Sequence, residues 1–276
     1  MSSTADPADP LAPLAALPGV PEAVESVRKS VDRVYGHRIM RRRSSEVSGE
    51  AALRGARASA ALDGADWALE EVRRRTDFGV EGEPRTVGAA LRVTAEAGQI
   101  LDVWGQSPLR VLARLHLVAA GKGVADDAVG RPRFAGEVVE GPELGIPVPD
   151  VDEVAARLDG LAGIVTGGTS APALVTASVV HGELLTLRPF GAFNGPVARA
   201  AERIVLVGSG LDPKAICPAE VGQAEQGREA YLRALKGYAS GTPEGVAEWI
   251  AHCGRAVELG VRESTAVCEA LQRGAA

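Results

Sequence analysis

Residues 171–187, APALVTASVVHGELLTL, are apolar around almost the whole circumference of a helix. A helix of that kind has no face to offer water and must lie at the centre of a fold, covered on all sides. Only 4% of the chain is aromatic while 46% is hydrophobic, so the covering layer must be built from Leu, Val, Ile and Ala. Those residues, with few long β-branched runs, favour helices over sheet. The expectation is a mainly α fold around one central buried helix.

The flanking sequence supplies the covering helices. Residues 1–20 are rich in Ala, Pro and Asp without period and read as a disordered lead-in. Pro21 suits a first helical turn, and a second helix runs through Ala51, Leu53, Ala56, Ala60 and Leu62. Gly64 interrupts it, and Trp67, Leu69 and Val72 continue on a following helix. Val87, Leu91, Ala95 and Leu101 recur at helical spacing from 86 to 104. Ser107–Pro108 then opens a helix carrying Leu109, Leu112 and Leu115, which Gly121–Lys122–Gly123 ends. Across 131–149 Gly and Pro recur between short extended runs (Phe134, Val138, Val139, Ile146, Val148), which predicts a β-hairpin or irregular flap. Asp150 and Glu153 form a capping-box-like start for the next helix. Further helices are expected at about 225–239, 243–257, with Thr242–Pro243 as its cap, and 262–272. Nothing repeats, and residues 21–276 read as a single domain.

Charge and cysteine usage narrow the function class. A net charge of −6 argues against a nucleic-acid partner, and the run Arg41–Arg42–Arg43 reads as a solvated helix face. Cys217, Cys253 and Cys268 form neither a CxxC nor an even disulfide set, which points to a reducing compartment. No segment reaches about 18 uninterrupted apolar residues, and the N-terminus lacks a basic, then apolar leader. A soluble, cytoplasmic protein without a membrane partner is expected.

The chemistry of the chain concentrates in 181–203, HGELLTLRPFGAFNGPVARAAER. The buried helix runs into a turn holding Gly191 and Gly195, and a new helix begins with Pro196. The first amides of that helix lack intrahelical acceptors and sit at the positive end of its dipole, so this start can hold a phosphate or carboxylate. Asn194, the chain's one asparagine, suits positive φ in a tight turn. A plain helix–turn–helix corner remains the competing reading of these residues.

Aligned on Phe190, Asn194, Gly195 and Arg199, the loop R-P-F-G-A-F-N-G-P-V-A-R resembles the signature of the Fic (Fido) family, H-x-F-x-(D/E)-G-N-G-(R/K)-x-x-R. Three other segments fall in the family's order. Ser59-Ala-Ala-Leu-Asp63-Gly64 is similar to the inhibitory-helix pattern (S/T)-x-x-x-E-(G/N), within a segment spanning about 51–75. Residues 131–149 resemble the flap, and 228–250, with Tyr231 and Trp249, the closing helices. The resemblance implies a Fic-like helical bundle with a short β-hairpin flap. It also implies a cleft for ATP or ADP, a protein partner held by flap and cleft, and a scaffold that allows homodimers.

The departures from the signature matter as much as the matches. In the family the motif histidine is the base, the acidic residue holds Mg²⁺, and the glycine–asparagine turn and arginines cradle phosphate. Here Arg188 stands at the base position and keeps its proton near neutral pH, so no catalytic residue can be assigned with confidence. Ala192 offers a hard cation no ligand atom, so no metal ligand and no clear Mg²⁺ site is read. Phe193 replaces a glycine, and Pro196 removes a charged phosphate ligand and an amide. Arg188, Asn194, Gly195 and Arg199 remain as candidate anion-binding residues, and Ser59, Asp63 and Gly64 as candidate regulatory ones. Asp63 is expected within hydrogen-bonding or single-water reach of Arg199. His181 and His116 read as structural, and Glu183 as a cap or salt bridge. The sequence reads as a degenerate, Fic-like pseudoenzyme acting by binding or regulation; the alternative is a nucleotidyl- or phosphate-group transferase using non-histidine chemistry.

Overall fold

The apolar stretch forms a helix buried on almost every side, from Ala173 to Leu187, and the other elements are arranged around it. The computed structural model describes residues 9–122 and 124–274, so Gly123 and residues 1–8 of the expected lead-in lie outside the described residues. In chain order the helices are α1 (Val20–Tyr35), α2 (Ser44–Leu62), α3 (Leu69–Arg74), α4 (Gly82–Ala97), α5 (Leu101–Trp104) and α6 (Pro108–Ala120). They continue with α7 (Val151–Gly167), α8 (Ala173–Leu187), α9 (Asn194–Gly208), α10 (Ala219–Glu225), α11 (Arg228–Ala239) and α12 (Pro243–Gln272).

The central pair is α8 and α9. The helices α7, α11 and α12 cover α8, while α2, α4, α5 and α6 pack on α9. Leu187, Ile204, Ile216, Leu235, Trp249 and Ile250 are fully enclosed in the main core. Trp249 donates its indole N–H to the Ser178 carbonyl at 2.7 Å, tying α12 to the middle of α8. A smaller apolar cluster under α2, α3 and α4 contains Ala56, Trp67, Val72 and Val87. Two of the expected caps form: Asp150 accepts from the Glu153 amide at 2.8 Å, and Thr242 from the Gly245 amide at 3.2 Å, whereas Ser107, expected as the cap of α6, makes no side-chain cap bond.

Four sequence expectations need correction. Residues 9–19 are not a disordered lead-in: a 3-10 turn spans Ala12–Ala16, and Asp9 accepts hydrogen bonds from Thr169 and Ser170. The periodic stretch 86–104 breaks after Ala97, giving α4 and the short α5. The helices expected at 243–257 and 262–272 are one 30-residue helix, about 45 Å long. The apparent break around Gly260 is a packing site: a Cβ there would lie 2.6 Å from the Pro218 carbonyl oxygen. Gly260→Ala is therefore expected to push α12 off the 218 turn and lower stability by about 1–3 kcal/mol, read from the urea midpoint.

The fourth correction concerns the flap. Among the described residues there is no strand, and 131–149 is an irregular segment, not a β-hairpin. Pro132, Pro142, Pro147 and Pro149 have no amide to give a ladder, and Gly136, Gly141 and Gly145 turn the chain at positive φ. Its backbone donors reach the motif loop instead. The Arg133 amide bonds to the Pro189 carbonyl and the Glu140 amide to the Gly191 carbonyl, both at 2.7 Å.

Candidate functional site

The turn joining α8 to α9 is held in an unusual backbone conformation. Arg188 (φ 45°) and Phe193 (φ 59°) both lie in the left-handed region although neither is glycine, a conformation that costs about 1–2 kcal/mol per residue. Asn194 does not take the positive φ expected of it; it is the first residue of α9. Its side chain instead spans the turn, accepting from the Phe190 amide at 2.9 Å and donating to the Phe190 carbonyl at 2.8 Å. Phe190, buried as the anchor, stacks on His116 with ring centroids 4.2 Å apart. Asn194→Ala would leave both backbone groups buried without these partners, and should lower stability by about 2–3 kcal/mol with an unchanged urea m-value.

Arg199 lies one turn into α9 and is only 2% exposed. It meets the end of α2. Its Nε donates to Ser59 Oγ at 2.8 Å, and its Nη2 to the Ser59 carbonyl at 3.0 Å and to Asp63 Oδ1 at 2.9 Å. Burial pulls its pKa down, yet the contacts with Asp63 and Tyr231 outweigh this and leave it above the ordinary arginine value.

The sequence aims Asp63 at that point through a helix ending. Gly64 takes φ 97°, its amide returns to the Ala61 carbonyl, and the Ala65 amide returns to the Ala60 carbonyl. This is a Schellman closure, with Asp63 as the C-cap. Both Asp63 carboxylate oxygens lie 2.6 Å from where a Cβ on Gly195 would stand. An internal carboxylate thus covers the uncapped start of α9, where the dipole favours negative charge.

Arg188 is 9% exposed and turns toward the flap. Its Nη2 donates to the carbonyls of Ile146 (2.8 Å) and Pro147 (2.5 Å), while its buried Nε has no hydrogen-bond partner. Burial first, and then the like charge of Arg133, hold its pKa below the ordinary arginine value. Arg133 is also buried and bonds to the carbonyls of Arg188 and Pro149. Two guanidinium groups therefore staple the flap to the loop.

Between flap, loop and the end of α2 lies a cleft of about 580 Å³. The candidate anion residues Arg188, Asn194, Gly195 and Arg199 all line it, together with Asp63. Ser59 and Gly64 act from behind, one on Arg199 and one on the backbone that presents Asp63. The Asn194 side chain is occupied within the turn, so of the four it offers a ligand least. Sequence reasoning missed Arg228, which lines the same cleft and donates to the Glu143 carbonyl at 2.9 Å. Its signal was weak, one arginine among many on a helix start. Ala192 is buried and carries no ligand atom.

His181 lies away from this cleft. It is fully buried, with Nε2 2.7 Å from the Tyr231 hydroxyl and Nδ1 2.9 Å from Glu202. Glu183 is the salt-bridging residue expected, held by Arg157 at 2.7 and 3.0 Å and by the Tyr238 hydroxyl at 2.7 Å.

Comparison with solved structures identifies the fold. A Fic family protein from Desulfovibrio desulfuricans superposes with a TM-score of 0.67 at 21% identity, over 89% of this chain and 74% of the other. Fic-1 from C. elegans gives 0.64 at 14%, over 90% and 72%. A Fic domain containing signaling protein from Bacteroides thetaiotaomicron gives 0.59 at 11%, over 90% and 98%. No family sequence model matches the chain, and no curated protein matches it. At these identities the likeness establishes the fold: the chain has the Fic fold.

Proposed function

We propose that this Fic-fold chain is a binding or regulatory module and not a classical AMP transferase. The observation that carries the reading is Arg188. At the position of the family's base stands a guanidinium, tied to the Ile146 and Pro147 carbonyls, and an arginine accepts no proton near neutral pH. Ala192 and Phe193 add neither a metal ligand nor a flexible phosphate turn.

The cleft suits a small anionic ligand. Arg188 and Arg228 both line it and are bonded there to backbone carbonyls, which leaves their positive charge available to an incoming phosphate. Asp63 meanwhile covers Arg199 and the α9 start, acting as an internal competitor for the anion. ATP or ADP, without Mg²⁺, is the ligand class to test. Phe134 and Val138 are 62% and 79% exposed on the flap and offer apolar contacts to a protein partner. Among the described residues no helix is long and apolar enough to cross a membrane. The buried free thiols Cys217, Cys253 and Cys268 suit a reducing compartment, and the cytoplasm is the proposed location.

One feature favours a second reading, group transfer without the usual base: Arg199 and Tyr231 both line the cleft. That reading requires turnover lost in Arg199→Ala.

Isothermal titration with ATP and ADP, with and without Mg²⁺, tests the proposal. Saturable, Mg²⁺-independent binding that weakens in Arg188→Ala is the expected result. Absence of binding in every condition, in both the wild type and Asp63→Ala, would sink the anion-cleft reading. AMP or phosphate transfer onto any protein of a cell lysate would replace it with the second.

A further inference from the structure

We propose that the core of the bundle holds a structural transition-metal site of the zinc type, formed by His181, Glu202 and Cys253. The three residues come from three helices, α8, α9 and α12, and are 0%, 1% and 0% exposed. One donor atom from each lies within 4.8 Å of the other two. None of the three lines the cleft described above, so the inference does not depend on the proposed function.

The donor set is mixed: imidazole, carboxylate and sulfur. Zinc accepts all three, at about 2.0–2.3 Å, which places tetrahedral ligands roughly 3.3–3.7 Å apart. Closing from the present separations needs side-chain shifts of about 1 Å. The Nδ1 of His181 and Oε2 of Glu202 are already 2.9 Å apart.

Two further observations favour a cation at this cluster. Glu202 Oε1 is buried without any hydrogen-bond partner, although the same carboxylate is doubly held at Oε2 by His181 and Gln223. The Gln223 carbonyl oxygen beside it, on α10, is likewise buried and unpartnered. A buried acceptor oxygen without a donor is costly unless something positive or a donor approaches it. The Gln223 Nε2 is 3.4 Å from His181 Nδ1 and 2.7 Å from Glu202 Oε2, so rotation of this amide would bring its oxygen to the cluster as a fourth ligand, closing the coordination sphere as structural sites require.

The surroundings also match a metal-bound histidine. Such a histidine fixes its free ring nitrogen through a second partner, and here Nε2 is 2.7 Å from the Tyr231 hydroxyl. The ion would tie α8, α9, α10 and α12 together at their common centre. The site has no opening to solvent, so the metal would enter during folding. A cavity of about 10 Å³ lined by Glu202, Arg203, Asp212 and Glu220 among others has room for about one water, and a water bonded to Glu202 Oε1 would satisfy it without any metal.

Refolding the full chain with Zn²⁺, and separately with Co²⁺, distinguishes the two. Expected are metal retained in stoichiometric amount after desalting and, for Co²⁺, the near-ultraviolet thiolate-to-metal charge-transfer band with tetrahedral visible bands. Both should be lost in Cys253→Ser and kept in Cys268→Ser, which removes a different buried thiol. Metal-free wild-type protein after refolding in excess Zn²⁺, with no charge-transfer band in Co²⁺, overturns the proposal in favour of the water. So does a band that survives in Cys253→Ser. If Cys253→Ser fails to fold, the wild-type cobalt spectrum and metal content still decide.

Discussion

Asp63→Ala should lower the melting temperature by about 6–12 °C and at the same time make the protein's stability depend on phosphate more strongly than that of the wild type. Arg199 is 2% exposed, and its one carboxylate contact among the described residues is Asp63 at 2.9 Å. Removing one member of a buried ion pair strands the other charge and costs about 3 kcal/mol or more. For a chain of this size that corresponds to roughly 2–4 °C per kcal/mol. The methyl group of alanine also uncovers Gly195 and the α9 start, where the carboxylate had stood in for a bound anion. Added phosphate or ADP should then recover much of the loss, because a ligand that binds only the folded state stabilises it by mass action. Thermal melts of both proteins across a phosphate series provide the check. Equal melting temperatures would show that Asp63 is not the counter-ion of Arg199 in solution. A loss that phosphate never repairs would show that the uncovered site does not take an anion.

Acidification from pH 6.5 to 4 should destabilise the fold by several kcal/mol through two histidines. Burial holds both His116 and His252 down to a pKa of about 4, and for His252 the neighbouring His181 adds to the effect. The unfolded chain binds those protons near pH 6.5, so between 6.5 and 4 it carries more protons than the folded one. Stability is then full above the unfolded value and is lost as pH falls toward the folded one, by about 3 kcal/mol per histidine at completion. His116 makes the consequence local. Its Nδ1 accepts from the Gly130 amide at 3.0 Å and its ring lies on Phe190, so protonation removes an acceptor directly beneath the motif loop. Urea unfolding at a series of pH values should show the slope, and His116→Phe should reduce it by about half. A flat profile between pH 7 and 5 would contradict the assignment.

Much of the architecture follows from local pattern. The all-apolar stretch before Arg188 required a central helix, and α8 is that helix. Asp150 and Thr242 cap where their spacing says they should, since a cap depends on atoms only three residues apart. The Asp63–Arg199 contact was legible because two sequence patterns named its ends, although 136 residues separate them. The pattern failed where a residue answers to a distant neighbour. Residues 243–257 and 262–272 read as two helices, yet Gly260 between them is a place in one continuous helix for the Pro218 backbone. The short extended runs in 131–149 read as a β-hairpin or an irregular flap, and the second holds because amides of this segment bond to the motif loop.

Residue identities and short-range periodicity were enough for the helical class, the central helix, and the presence of Arg188 and Ala192 in the motif loop. Each of these depends on residue identity or on short-range periodicity, and the chain carries both wherever it folds. Only the tertiary structure decided what the loop's side chains do. Asn194 braces Phe190, Arg188 grips the flap, and Asp63 lies over Gly195. The burial of His181, Glu202, Gln223 and Cys253 around one point was also beyond the sequence, because four helices far apart in the chain meet there. Polar groups pair with whatever the packing brings within about 3 Å, and sequence spacing does not contain that distance.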